Sequence, residues 1–339
     1  MQCLQSFARI GGEGLDAWPA PGAEGPNARA VCASVVALLE GPRSDSACLF
    51  VGPLVSTMLL RMPSLMAPCV ARVVEAVLRR LGRCEMPLVS TRLVVVFARL
   101  AALDAPRAID LLCSVQCGDR GHGGGAGATG LGVAMHNWTL YHSELQGEYT
   151  IKMSAVGLMR VLSTLDARLQ EVIVTGREVF KNPDVITTRS RARGSAPSEW
   201  TRCPVPIKII ALLLDQYAEL QEAERDGAGG ACAGDADEDQ DEYGEDEYGE
   251  DFADDDDAEF DDDEDEDDVE FFGDDIGGDG GAPDELDARD DPLGRVELQR
   301  ELGAFLRNLT TSEVGVSMIK GFVDEFSRRQ LEVIHACSA

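Results

Sequence analysis

The residues with the greatest chemical capacity in this sequence are carboxylates. Between Asp235 and Asp291 stand 33 Asp or Glu against a single Arg289, a local charge of −32. The rest of the chain holds 28 acids and 29 Lys or Arg, so the formal charge of −31 belongs to one segment. Such a polyanion disfavours direct contact with nucleic acid or anionic membrane and attracts basic proteins. Its centre opens with a repeated Glu-Tyr-Gly-Glu-Asp unit, in which Asp241, Glu242, Glu245, Asp246, Glu247, Glu250 and Asp251 surround Tyr243 and Tyr248. Phe252 follows, then Asp254, Asp255, Asp256 and Asp257. A second run comprises Asp261, Asp262, Asp263, Glu264, Asp265, Glu266, Asp267 and Asp268, with Phe260, Phe271 and Phe272 around it. These residues form the candidate partner-binding set. Carboxylates closer together than the roughly 8 Å screening length act jointly, and their repulsion keeps the segment extended. The carboxylates supply steering and on-rate; the aromatics either anchor in apolar pockets on the partner or are incidental to a solubilising spacer. Asp254–Asp257 lack the spaced ligands and central Gly of an EF-hand loop, so calcium is not expected there.

Other reactive residue types are present without the spacing that chemistry needs. Arg189, Arg191 and Arg193 lie in a basic loop, 187–199, which reads as solvated or, alternatively, as a contact for an acidic surface. Cys113 and Cys117 form a C-x3-C pair, but no second pair completes a zinc site. Ten cysteines without framework spacing, several inside apolar helical patterns, imply a reducing compartment and no disulfides. His122, His136, His142 and His335 pair with no nucleophile or metal-ligand motif, and His136 and His142 beside Trp138 read as helix surface. Gly125–Gly130 matches the dinucleotide fingerprint in spacing, but what precedes it reads helical. The glycine cluster 118–132 is therefore taken as a flexible loop. No catalytic, cofactor-binding or metal-binding residue is assigned, and neither enzymatic activity nor a cofactor is expected.

The elements around these residues are helical by period. Residues 1–30, rich in Gly, Ala and Pro, read as a disordered leader or truncated start. Val70, Val73, Val74, Val77, Leu78 and Leu81 share one helix face, with Arg72, Glu75, Arg79 and Arg80 on the other. Leu88–Leu103 is apolar nearly all round and long enough for a buried helix, followed after Asp104-Ala105-Pro106 by another to Gln116. Ile151–Leu165 is a further helix, whereas Val172-Ile173-Val174 is ambiguous between helix and strand. Pro204 and Pro206 open a helix in which Ile210, Leu213, Leu214, Tyr217 and Leu220 share a face. After the acidic segment, 226–291, Asp291-Pro292 starts a helix with Leu298, Leu302, Phe305, Leu306 and Leu309 in step, and Ser327–Gln330 spells a capping box. The longest uncharged apolar stretch, Ser46–Leu60, has 15 residues and contains Gly52-Pro53. It reads as a buried helix pair, since a bilayer requires about 20 residues. A soluble all-α solenoid follows, with HEAT-type hairpins over 31–225 and 292–339 and a long disordered acidic insertion held at both ends.

A set of short matches adds to this reading. Val36–Asp45 running into Phe50–Thr57, then Val96–Leu100 and Leu111–Ser114, resemble successive hairpins of the importin-β (karyopherin) nuclear transport receptors. Trp138, Gly147-Glu148-Tyr149, Lys152, Thr188–Ser190, Glu199–Thr201, Asp291–Leu293, Leu298-Gln299 and Arg328–Leu331 continue the resemblance in the family's order. The likeness is to the C-terminal third of the branch that imports core histones. It implies an acidic loop that contacts histone cargo and influences its release, with the polyanion competing for the Lys and Arg that phosphates bind. It also implies Ran GTPase, bound mainly by repeats outside the match, and nuclear pore proteins as partners. Shuttling between cytoplasm and nucleus, through pores in the nuclear envelope, goes with that. The alternative is a stand-alone acidic histone chaperone or scaffold without transport.

Overall fold

The computed structural model describes residues 2–17, 27–42, 44–117, 129–179, 199–229 and 283–338. Its helices stack in two rows, as an all-α solenoid of hairpins. One row runs α1 (Gln2–Gly11), α3 (Val51–Arg61), α6 (Pro87–Ser114), α8 (Glu148–Ser163) and α12 (Leu298–Thr311), each packed on the next. The other runs α2 (Asn27–Glu40), α5 (Val70–Leu81), α7 (Gly130–Tyr141), α10 (Val205–Gly229) and α14 (Arg328–Ser338). Between these come the short α4 (Pro63–Met66), α9 (Arg168–Glu171), α11 (Pro283–Asp290) and α13 (Glu313–Gly321). One continuous apolar core runs between the rows. Among the described residues no helix is long and apolar enough to cross a membrane.

The helical period explains most of this. In α5 the predicted stripe of Val73, Val74, Val77, Leu78 and Leu81 is buried, while Arg72 and Arg79 on the outer face pair with Glu40 and Glu75. α6 lies between α3, α7 and α8, so its first half is buried almost all round. It kinks at Asp104 (φ −154°, ψ 91°), whose carboxylate accepts a hydrogen bond from the amide of Arg107 at 3.1 Å, and Pro106 enters the restarted helix. The capping box forms reciprocally: Gln330 N donates to Ser327 Oγ at 3.2 Å, and Ser327 N donates to Gln330 Oε1 at 2.7 Å. The Gln330 amide also donates to Asp215 at 2.8 Å, tying α14 to α10.

Several expectations are corrected. The leader is not disordered over its described part: Gln2–Gly11 is a helix packed on α3, because Gln5 and Ala8 turn inward, and Asn27–Glu40 begins before residue 31. Gly52-Pro53 does not divide two helices, since Pro is tolerated in the first turn of α3. The ambiguous run becomes β1 (Ile173–Val179), paired antiparallel with β2 (Glu199–Pro204), with Val174 opposite Cys203. Both side chains are buried, and the hairpin packs on α7 and α10, so tertiary pairing decided what local pattern left open. Lys208 Nζ secures it by donating to Gly176 O at 3.1 Å. Of the glycine cluster, 118–128 lie outside the described residues, whereas Gly130 and Gly132 enter α7, capped by Thr129.

His142 also departs from expectation. It is buried, not on a helix surface, with Nδ1 2.9 Å from Ser154 Oγ, which also accepts a hydrogen bond from Trp138 Nε1 at 2.8 Å. Burial lowers its pKa from 6.5 to about 4. The unfolded chain therefore binds the extra proton first, and stability should fall as pH drops from 6.5 towards 4, by as much as about 3 kcal/mol. Denaturant midpoints measured across that window should show the decline, and His142→Phe should flatten it. A second expectation concerns the α3–α6 crossing, where a Cβ on Gly52 would lie 1.8 Å from the carbonyl oxygen of Arg92. Gly52→Ala should cost about 1–3 kcal/mol or more in chemical denaturation. Gly14→Ala, with open space around it, is the silent control.

Candidate functional site

The acidic and aromatic residues of the partner-binding set, Asp241 to Asp268, lie outside the described residues, as do Arg189, Arg191 and Arg193. What the structure shows is how the acidic segment is rooted. Its bounds are narrower than 226–291, because α10 continues to Gly229 and the chain is folded again from Pro283. The returning end is itself acidic, and it is not free to meet a partner. Asp287, Asp290 and Asp291 are contacts to the solenoid.

Asp287 and Asp290 stand three apart on the strut α11, which places them on one side, and Asp291 follows directly as the cap of the next turn. Asp287 is buried and accepts both prongs of the Arg9 guanidinium, at 2.8 and 3.0 Å, plus the hydroxyl of Thr57 at 2.9 Å. Thr57 in turn accepts from the Gln5 amide at 3.1 Å. Asp290, more exposed, pairs with Arg61 at 2.5 Å. Asp291 goes deepest: its side chain is 5% exposed, against Arg99 at 1%. It accepts from Arg99, from the Tyr149 hydroxyl at 2.5 Å and from the Leu293 amide at 3.0 Å. Arg99 is fully engaged, donating also to Ser56 at 3.2 Å and Tyr149 at 2.6 Å. One residue further on, Pro292 begins a short 3₁₀ turn to Arg295, and Lys152 donates to Gly294 O at 3.3 Å. The strut thus joins α1, α3, α6 and α8 through one aspartate-rich turn.

Two opposed effects set the ionisation of Asp291. Burial raises its pKa, but hydrogen bonds from Tyr149, the Leu293 amide and Arg99, with the charge of Arg99, outweigh it, so the net shift is downward. Burial, reinforced by the carboxylate, pushes the Tyr149 hydroxyl well above its usual value, so it remains a donor. The pairing with Arg9 is the bidentate, charge-assisted kind that fixes geometry as well as charge.

The remaining reactive groups take no part in a common centre. Burial pushes the Cys32 thiol up to about 12 and Cys203 to about 11, and raises Cys113 and Cys117, which keeps all four protonated and poor as nucleophiles. Among the described residues no three His, Cys, Asp or Glu converge as a metal site. Sequence reasoning missed the roles of Arg9, Arg61, Arg99, Asp287 and Asp290, and found Asp291 only as the cap before Pro292, where it does accept from the Leu293 amide. One signal was available: Arg99 is the only charge between Leu93 and Leu103, an odd residue for a helix buried all round.

No family model matches the chain. It is similar to importin subunit beta-5 of Saccharomyces cerevisiae, 30% identical over 181 residues, covering 53% of this chain and 17% of that protein. Importin-9 of Drosophila melanogaster is 24% identical over 231 residues, 66% of this chain and 21% of the relative. Importin subunit beta-5 of Schizosaccharomyces pombe is 25% identical over 206 residues, 56% and 19% respectively. The chain spans about a fifth of the length of these curated relatives.

The strut is open to a direct test. Arg99→Met leaves the Asp291 carboxylate buried without its counter-charge and should cost about 3–5 kcal/mol, whereas Arg99→Met combined with Asp291→Leu should recover much of that loss. Trypsin gives a second readout, because Arg289 is the one basic residue between Asp235 and Asp291. Cleavage after Arg289 should accelerate in the single variant. The pairing also has a pH signature of known sign. A depressed Asp291 pKa contributes stability that is complete above the ordinary value of 3.8 and is lost as pH falls below it.

Proposed function

With similarity to the importin-β family as the premise, we propose that this chain is the C-terminal part of a nuclear import receptor and that its acidic segment grips basic cargo such as core histones. The observation that carries this reading is the rooting of the polyanion at both ends. Helix α10 leads into residues 230–282, and the strut returns them through three arginine–aspartate pairs. A tail of equal charge would be tethered once and would sweep a larger volume. A double tether confines the carboxylates beside the solenoid and so raises their local concentration at any cargo already touching it.

The carboxylates from Asp241 to Asp268 then act as a temporary counter-surface for Lys and Arg that would otherwise bind nucleic acid. Steering by opposite charge speeds the encounter, and release follows when a competing interaction displaces the segment. The whole receptor would pass nuclear pores by contact with pore proteins, under control of Ran in its GTP form, and shuttle between cytoplasm and nucleus. No step of this cycle calls for bond-making chemistry or a cofactor.

Excision of residues 235–282, leaving the strut in place, is the decisive variant. Affinity for a core-histone dimer should fall at least about tenfold at physiological salt, and the steep loss of binding with rising salt should flatten. Unchanged histone binding at every ionic strength would refute the proposal. A parallel pull-down with GTP-loaded Ran separates a receptor from a chaperone that retains histones alone.

A further inference from the structure

A groove of about 1010 Å³ lies beside the root of the acidic segment, framed by α8, α10, the turn after the strut and α12. Its floor is apolar, with Ile151, Leu220, Val296 and Leu298 around the ring of Tyr217. Its rim is charged, and the carboxylates of the rim already have partners. Glu148 faces Lys152 at 3.5 Å, Glu224 accepts from Gln299 at 2.6 Å, and Glu297 faces Arg300 at 4.0 Å. The guanidinium groups of Arg295 and Arg307, both exposed, make no hydrogen bond or ion pair among the described residues. Among the lining residues Lys152, Arg295, Arg300 and Arg307 outnumber Glu148, Glu224 and Glu297 by one, so the groove carries a net charge of +1 beside its apolar residues.

That combination suits a ligand that alternates carboxylates with aromatic rings. The chain supplies one itself, Glu242 to Asp251, with Tyr243 and Tyr248 spaced through it. Reach is not limiting. From Gly229 to Tyr243 is 14 residues, on the order of 45 Å when extended. The groove wall at Glu224 is five residues back along α10, about 7.5 Å of helix. A tether this short gives an intramolecular ligand an advantage over any separate acidic peptide. We propose that Glu242–Asp251 docks in this groove, its tyrosine rings on the apolar floor and its carboxylates against Arg295 and Arg307, and that a lysine-rich partner draws it out. The displacement half of the proposal rests on the cargo-binding reading above; the docking half does not.

The test uses the full chain with the photocrosslinking residue p-benzoylphenylalanine in place of Tyr243. Irradiation should give crosslinks within one chain to Tyr217, Leu220 or residues 296–303, located by mass spectrometry. Arg295→Glu with Arg307→Glu should lower their yield about fivefold, the effect of losing two exposed ion pairs. Both side chains are exposed, so an unchanged melting curve will certify the fold of that variant. Saturating decalysine should suppress the same crosslinks, and the double variant should bind decalysine about threefold more tightly because its segment is already free. Crosslinks that map elsewhere, that join two chains, or that ignore the arginine changes would overturn the docking. Crosslinks that persist with decalysine bound would overturn displacement. Failure of decalysine to bind at all would count against the receptor reading, while the crosslink map would still decide the groove.

Discussion

Two buried carboxylates hold the acidic segment to the solenoid, and that of Asp291 is the deeper. It ends a stretch of 33 acidic residues, and of those described it is the one placed deepest in the protein, against Arg99, Tyr149 and the Leu293 amide. An ion in this position is tolerated only when each of its oxygens is met by a donor, and here they are. Its position dictates its neighbours. Once Asp291 is seated between α6 and α8, the preceding helical turn brings Asp290 to Arg61 on α3 and Asp287 to Arg9 on α1. Four members of one helical row are cross-braced by a strut that makes few apolar contacts of its own.

That last property separates the strut from the rows it braces. The rows are joined by closely packed apolar side chains, with Val94, Leu93 and Leu158 fully buried between α6 and its neighbours. Their cohesion depends on area removed from water and is nearly indifferent to salt. The strut instead exposes Leu286 and buries Asp287 and Asp291, so its attachment depends on charge and hydrogen bonds. The insertion it ends is long, but length is a minor burden, because each doubling of a loop adds only about 0.6 kcal/mol of closure entropy. Charge is the larger one. Residues 235–282 carry no Lys or Arg, so their carboxylates repel one another until a cationic surface arrives.

How far the sequence revealed this depends on whether the deciding contact is local. Helices α5, α10 and α12 announce themselves because their apolar stripes repeat at the helical period and are buried or half-buried, although Arg80, assigned to the polar face of α5, is also buried, against Asp45. The Ser327–Gln330 cap is legible for the same reason, as both partners sit within four residues. The ion pairs of Asp287 and Asp291 are illegible by the same logic. Asp291 is marked locally only as a cap, by the Pro292 that follows it, and the residues that pair with the two carboxylates, Arg9 and Arg99, lie 278 and 192 positions away. The strand Ile173–Val179 stayed undecided and the helix Gln2–Gly11 was missed, because packing on α7 and α3 settles them. His142 looked like surface because its burial comes from α8, through Ser154.

The same non-local contacts give the insertion its functional meaning. A polyanion attached anywhere would attract basic proteins, so charge alone does not select a site of action. Attachment does. The strut fixes where the segment returns, α10 fixes where it leaves, and the groove of α8, α10 and α12, with Arg295 and Arg307 in its lining, lies beside both ends. On the docking proposed above, the carboxylates of Glu242–Asp251 would meet two kinds of cation in turn, the guanidinium groups of the solenoid and those of an arriving partner. Binding becomes an exchange of counter-ions rather than the capture of a bare charge, and exchange lowers the net affinity while leaving the preference for basic surfaces intact. If the segment binds basic cargo as proposed, moderation of this kind is an asset, because a partner held by the full attraction of an unopposed polyanion would dissociate too slowly to be delivered.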